Sequence, residues 1–173
     1  NNGSTYGIDD HMAIGATYVT DMGDSAVTIG MGYSATEGAK TGTQMTNDEG
    51  GIHFGISAVT GDLTVAVAFA DGDSIEQTNT VQSDSDYMAA GVKYVSGDLT
   101  FNVGVASGTT KDGAFGTPGT TEDSKDVTSA SVSYAVASGV TAILGYTTVD
   151  SANAGANDDT DGSAWYIGAN MSF

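Results

Sequence analysis

The chain has 173 residues, with 22 acidic side chains against four Lys and no Arg, a net charge of −18, 25 Gly, one Pro and no Cys. That balance excludes nucleic acid or an anionic surface as a partner held by a basic patch, and the lack of Cys excludes disulfides and thiolate chemistry. There is no run of about 18 apolar residues, so no transmembrane helix is expected, and no charged-then-apolar leader opens the sequence.

Met12, Ile14, Ala16 and Tyr18 alternate with Ala13, Gly15, Thr17 and Val19, the two-residue period of a strand over 11–19. A turn from Thr20 to Asp24 leads to a second strand, 25–35, with Val27, Ile29, Met31 and Tyr33 on one face. Beyond the polar stretch Glu37 to Glu49, strands are predicted over 51–59 and 63–70, joined at Thr60-Gly61-Asp62. The polar segment Asp71 to Asp86 precedes strands at 87–95 and 99–107, joined at Ser96-Gly97-Asp98. Gly108 to Asp126, containing Pro118, leads to 128–137, which turns at Ser138-Gly139 into 140–149. After Asp150 to Gly162 the last strand spans 163–173, where Trp165, Ile167, Ala169, Met171 and Phe173 alternate with Ala164, Tyr166, Gly168, Asn170 and Ser172.

Nine strands thus recur as strand, short turn, strand, long acidic loop, with a period of roughly 40 residues. The long loops vary while the short turns do not, which argues against a propeller or solenoid and for an up-and-down barrel. All carboxylates are expected between strands, with Asp21, Asp24, Asp62 and Asp98 in short turns. Each strand then forms an acid-free band of about nine to eleven residues, enough to cross an apolar belt when tilted. One face of every strand is apolar and the other small or hydroxylated, the pattern of a sheet between lipid and water. The alternative for the same alternation is a β-sandwich, whose apolar faces pack on each other. Tyr33, Phe69, Tyr146 and Trp165 fall on the apolar face beside long loops, and Tyr18, Tyr94, Tyr134 and Phe173 beside short turns or the terminus. Two such rings suit the two membrane interfaces. An odd strand count would leave the first and last strands parallel, so further strands are expected before Asn1.

The terminal Gly168-x-x-Met171-x-Phe173 resembles the assembly signal of outer-membrane barrels. Together with Val59-Thr-Gly-Asp-Leu-Thr-Val65, Tyr94-Val-Ser-Gly-Asp-Leu-Thr-Phe101 and the Gly-rich acidic loops, it makes the chain similar to the general diffusion porins of Gram-negative bacteria, especially acidic ones. The resemblance implies an all-β, antiparallel up-and-down transmembrane β-barrel. The chain would supply about nine strands of a 16-stranded homotrimer, as the carboxy-terminal part of one barrel domain. It further implies an outer-membrane location among lipid and lipopolysaccharide, short turns in the periplasm, long loops outside, and the constriction loop in the absent amino-terminal part.

A porin needs no catalytic residues; its selectivity comes from pore radius and wall charge. Strand parity puts Lys93, His11, His53, Asn102, Tyr166 and Asn170 on the inward face, with hydroxyls such as Thr64, Thr100, Ser131 and Thr141 between them. The His residues lack partners at metal-ligand spacing. Asp71 and Asp73, and the group Asp158, Asp159 and Asp161, offer hard oxygens of the kind Ca²⁺ takes, although no complete EF-hand loop is present. No Gly-x-Ser-x-Gly elbow or Ser/His/Asp set suggests an enzyme. The competing readings are a non-conducting surface barrel or adhesin and a soluble acidic calcium-binding β protein.

Overall fold

The computed structural model describes residues 8–38, 40–41, 44–45, 48–75, 82–113, 121–153 and 159–172. They form β1 (Ile8–Met22), β2 (Ser25–Gly38), β3 (Lys40–Thr41), β4 (Gln44–Met45), β5 (Asp48–Thr60), β6 (Leu63–Ile75), β7 (Gln82–Ser96), β8 (Leu99–Gly113), β9 (Thr121–Ala137), β10 (Val140–Ala152) and β11 (Thr160–Met171). Nine of these make one sheet in the order β1-β2-β5-β6-β7-β8-β9-β10-β11, and β3 pairs only with β4. Every neighbouring pair is antiparallel. β1 and β11 therefore run in the same direction, and among the described residues each has one edge without a partner strand.

All nine expected strands are present, but their far ends are longer than the apolar alternation suggested. The expectation that every carboxylate lies between strands is overturned: Glu37 belongs to β2, Asp71 and Asp73 to β6, Asp84 and Asp86 to β7, and Glu122, Asp123 and Asp126 to β9. Asp21 lies inside β1, not in a turn. The ladder is held by backbone groups, so it continues past the last apolar side chain as long as its donors and acceptors find partners. The β3–β4 pair, inside the stretch Glu37 to Glu49, had no apolar alternation to announce it.

The near ends are fixed by two-residue turns. Met22 faces Ser25, Thr60 faces Leu63, Ser96 faces Leu99 and Ala137 faces Val140. Gly23, Gly61, Gly97 and Gly139 take φ of 65°, 56°, 58° and 76°, a region that costs most L-residues about 1–2 kcal/mol. Each turn so sets the register of its hairpin. Across the long connections the register slips instead: Leu63 faces Tyr94, two residues before the end of β7, and Leu99 faces Tyr134, three before the end of β9.

Among the described residues no second layer covers this sheet. The strands make their contacts with sheet neighbours, and among the described residues Val27, 9% exposed, is the one buried hydrophobic side chain. Met31, Phe54, Phe69, Val103 and Leu144 stand open on the apolar face. The sandwich alternative fails here, since its apolar faces would be packed. Exposure also alternates: on β8, Leu99, Phe101, Val103 and Val105 are exposed while Thr100, Asn102, Gly104 and Ala106 are half-buried. Such shading of the small, polar face is what inward curvature of a barrel wall produces. The edge strands are barest, with Ile167 at 87% and Ile14 at 69%.

Candidate functional site

Register turns the polar face into rows that cross the strands. One row joins Thr64 to Lys93, Lys93 to Asn102, Asn102 to Ser131, Ser131 to Gly145 and Gly145 to Tyr166. The Asn102 amide donates to Ser131 Oγ at 3.3 Å. The Tyr166 ring lies over Gly145, where a Cβ would come within 2.0 Å of Tyr166 Cζ. Lys93 is exposed, and among the described residues the ion pair present is Lys111 with Glu122 at 3.2 Å, not one to Lys93.

Of the six wall residues expected from sequence, Lys93, Asn102 and Tyr166 thus share one row. His53 sits in another, Gly15, Gly32, His53, Ala70, Tyr87, Gly108 and Lys125, beside an open hollow of about 860 Å³. Its ring covers Gly32, where a Cβ would come within 2.3 Å of Nε2. His11 is nearer the acidic ends, its Nδ1 3.0 Å from Thr36 Oγ1, and Asn170 faces Thr141 near the short turns. Tyr87 was missed because it opens the expected strand 87–95 just ahead of the apolar residue Met88. Counting back by twos from Lys93 finds it on the polar face, next to Gly108.

On the apolar face, Tyr18, Tyr33, Phe69, Tyr94, Tyr134, Tyr146 and Trp165 all share the expected parity; Phe173 lies outside the described residues. Tyr146 and Trp165 are direct cross-strand neighbours with ring centroids 4.5 Å apart and planes 42° apart. Tyr33, Phe69, Tyr146 and Trp165 are not at strand ends, as expected, but inside strands, where the apolar stretch gives way to acid. That boundary runs obliquely. A single row passes from Ala16, Met31, Phe54, Phe69 and Met88 through Ser107 to Asp126, Asp150 and Asp161. A row perpendicular to tilted strands climbs relative to a level belt, so one row meets both hydrocarbon-facing and water-facing residues.

Beyond the belt the carboxylates form cross-strand pairs. Asp71 faces Asp86 and Asp73 faces Asp84, with Gln82 Nε2 donating to Asp84 Oδ1 at 3.3 Å. The Asp71 carboxyl is raised above its ordinary range, first by its hydrogen bond to Asp86, then by desolvation and by the charges of Asp86, Asp84 and Asp73. Opposed like charges destabilise a ladder. A carboxyl raised in the folded state contributes stability that is present at low pH and lost as pH rises through its folded pKa. Acidification is therefore expected to increase amide-exchange protection at 72–75 and 82–85, after correction for intrinsic rates. Asp86→Asn should flatten that pH profile; an unchanged profile would remove the pair as its cause. Of the calcium candidates, Asp71 and Asp73 lie on β6, Asp161 on β11, and Asp159 accepts the Asn153 N–H at 3.1 Å. Asp158 is outside the described residues. The two groups are five strands apart in the sheet, and among the described residues no three or more His, Asp or Glu gather as a metal site.

A family model described as Gram-negative porin matches residues 3–173. Nothing among curated protein sequences matches the chain. Among solved structures, the in-vitro folded trimer form of OmpT, an outer membrane protein of Vibrio cholerae, aligns with 93% of this chain and 56% of its own, at 16% identity and TM-score 0.67. OmpT of Vibrio cholerae expressed in the outer membrane gives the same values. A further in-vitro folded OmpT gives 17% identity, TM-score 0.65, and coverage of 93% and 55%. The chain spans little more than half the length of those proteins, and at this identity the likeness is one of fold.

Proposed function

Because the chain belongs to the Gram-negative porin family, we propose that its sheet is part of an outer-membrane channel through which small hydrophilic solutes and ions diffuse passively, rather than an enzyme. The observation that carries the reading is the bare apolar face. Among the described residues, side chains such as Phe54, Phe69, Val103 and Leu144 have no protein layer against them, and hydrocarbon is the environment in which such a face is stable. The opposite face, with Lys93, His53, Asn102, Tyr166 and Asn170, then lines water. Strands outside this sequence complete the barrel on this reading, because among the described residues the sheet has two free edges and the chain covers 56% of the OmpT chain it resembles.

The short turns are assigned to the periplasm and the acidic strand ends to the cell exterior, near lipopolysaccharide, as in other barrels of this type. A homotrimer is proposed from the trimer form of the OmpT neighbour. Calcium is given only a screening role at the exterior carboxylates, since its case rests on oxygen chemistry alone.

The full-length protein, purified in detergent and added to a planar bilayer, should give stepwise ohmic conductance. A barrel that inserts but gives no steps would favour the non-conducting surface protein, and solubility without detergent would overturn the membrane reading.

A further inference from the structure

The row from Lys93 to Tyr166 goes beyond a generally wet wall. On β2 to β7 much of the polar face at this depth carries almost no side chain, Gly30, Gly55, Ala66, Ala68, Ala89 and Gly91 offering backbone and methyl groups, while on β8 to β10 the hydroxyls of Thr100, Ser129, Ser133 and Thr147 flank the row. Against that background four polar groups stand on neighbouring strands, the Lys93 ammonium on β7, the Asn102 amide on β8, the Ser131 hydroxyl on β9 and, over Gly145 of β10, the Tyr166 ring. Neighbouring strands are spaced about 4.8 Å apart, so ammonium, amide and hydroxyl span roughly 10 Å, with the phenol one spacing beyond. The Asn102–Ser131 bond holds two of these groups together.

Lys93 is the informative member. In a chain of net charge −18, an exposed ammonium would ordinarily find a carboxylate, yet no carboxylate among the described residues pairs with it. Its nearest row neighbours, Thr64 and Asn102, are neutral. An uncompensated cation beside an amide, a hydroxyl and an aromatic face matches one solute chemistry: an anionic head on Lys93, hydroxyls on Asn102 and Ser131, and C–H surface against the Tyr166 ring.

Resting on the channel reading above, we propose that Lys93, Asn102, Ser131 and Tyr166 form a contact site for hydroxylated organic anions, sugar acids in particular. Occupancy is weak and brief, as a channel requires.

The test uses the full-length porin in planar bilayers, with gluconate as probe, hexanoate as an anion without hydroxyls and glucitol as a polyol without charge. Gluconate should reduce the open-channel current in a saturable way, hexanoate and glucitol should not. Lys93→Met should weaken the gluconate effect at least about fivefold, and Asn102→Leu and Tyr166→Ala should weaken it less. Lys125→Met removes the same charge from the same face in another row and should change it by less than about twofold. Chloride conductance of each variant reports that the barrel has folded. The proposal is overturned if gluconate has no saturable effect, if hexanoate matches it, or if Lys125→Met acts as strongly as Lys93→Met. Absence of any ohmic conductance would instead remove the channel reading itself.

Discussion

Val103→Arg is expected to cost about 2–4 kcal/mol of stability in a bilayer, while Asn102→Arg, one residue earlier, costs about 1 kcal/mol. Both residues sit in the middle of β8, Val103 facing Val92 and Ala130, and Asn102 facing Lys93 and Ser131, on the neighbouring strands. What separates them is the side of the sheet. Val103 is 54% exposed on the apolar face, where a guanidinium must be taken from water into hydrocarbon or drag water with it. Asn102 is on the polar face, and Arg there loses one hydrogen bond to Ser131 and faces Lys93 across the ladder, a like-charge pair screened by water, together about 1 kcal/mol. Denaturant unfolding of the full-length porin in lipid vesicles measures both. Equal costs would mean that the two faces do not differ in solvent, and the membrane reading would go with them.

The second large effect is on the pore and not on stability. Gly145→Ala places a Cβ where the Tyr166 ring now lies, and the ring is the movable party because it is the far end of a side chain with two free torsions. It should swing off the wall, narrowing the passage and lowering single-channel conductance by on the order of a quarter. Stability should change by less than about 1 kcal/mol, because Ala in a strand lowers the entropy lost on folding as the ring loses its seat. Adding Tyr166→Ala should restore the conductance. A single variant that conducts like the parent would show that the ring can be accommodated on the wall without Gly145 beneath it.

Much of this architecture could be read from residue alternation. Leu99, Phe101, Val103 and Val105 announce β8 and its two faces, and Gly97-Asp98 announces the turn that opens it. A two-residue turn fixes what it joins, so the opposition of Lys93 and Asn102 follows from Ser96 and Leu99 alone. The opposition of Asn102 to Ser131, or of Gly145 to Tyr166, does not, because each pair is linked through a long connection whose slip no local pattern specifies. That is why the wall residues were legible one by one while their assembly into a row was not. The strand ends were misjudged for a related reason. At Glu122, Asp123 and Asp126 the side chains no longer alternate in polarity, since both faces meet water there, but the backbone ladder of β9 persists. The laid-down rings of His53 and Tyr166 had a faint signal in the glycines opposite them, visible only once the pairing is known.

Among the described residues β1 and β11 each leave one margin unpartnered, which constrains the order in which such a protein can be assembled. Within hydrocarbon each unmet amide or carbonyl costs several kcal/mol, and in water a bare strand of this length is a template for aggregation. With those margins open, the nine described strands would be disfavoured in either medium by themselves. On the proposed channel reading, insertion and lateral closure are then concerted, with the last seam zipped before the sheet gives up its contact with water or with a carrier that guards those margins.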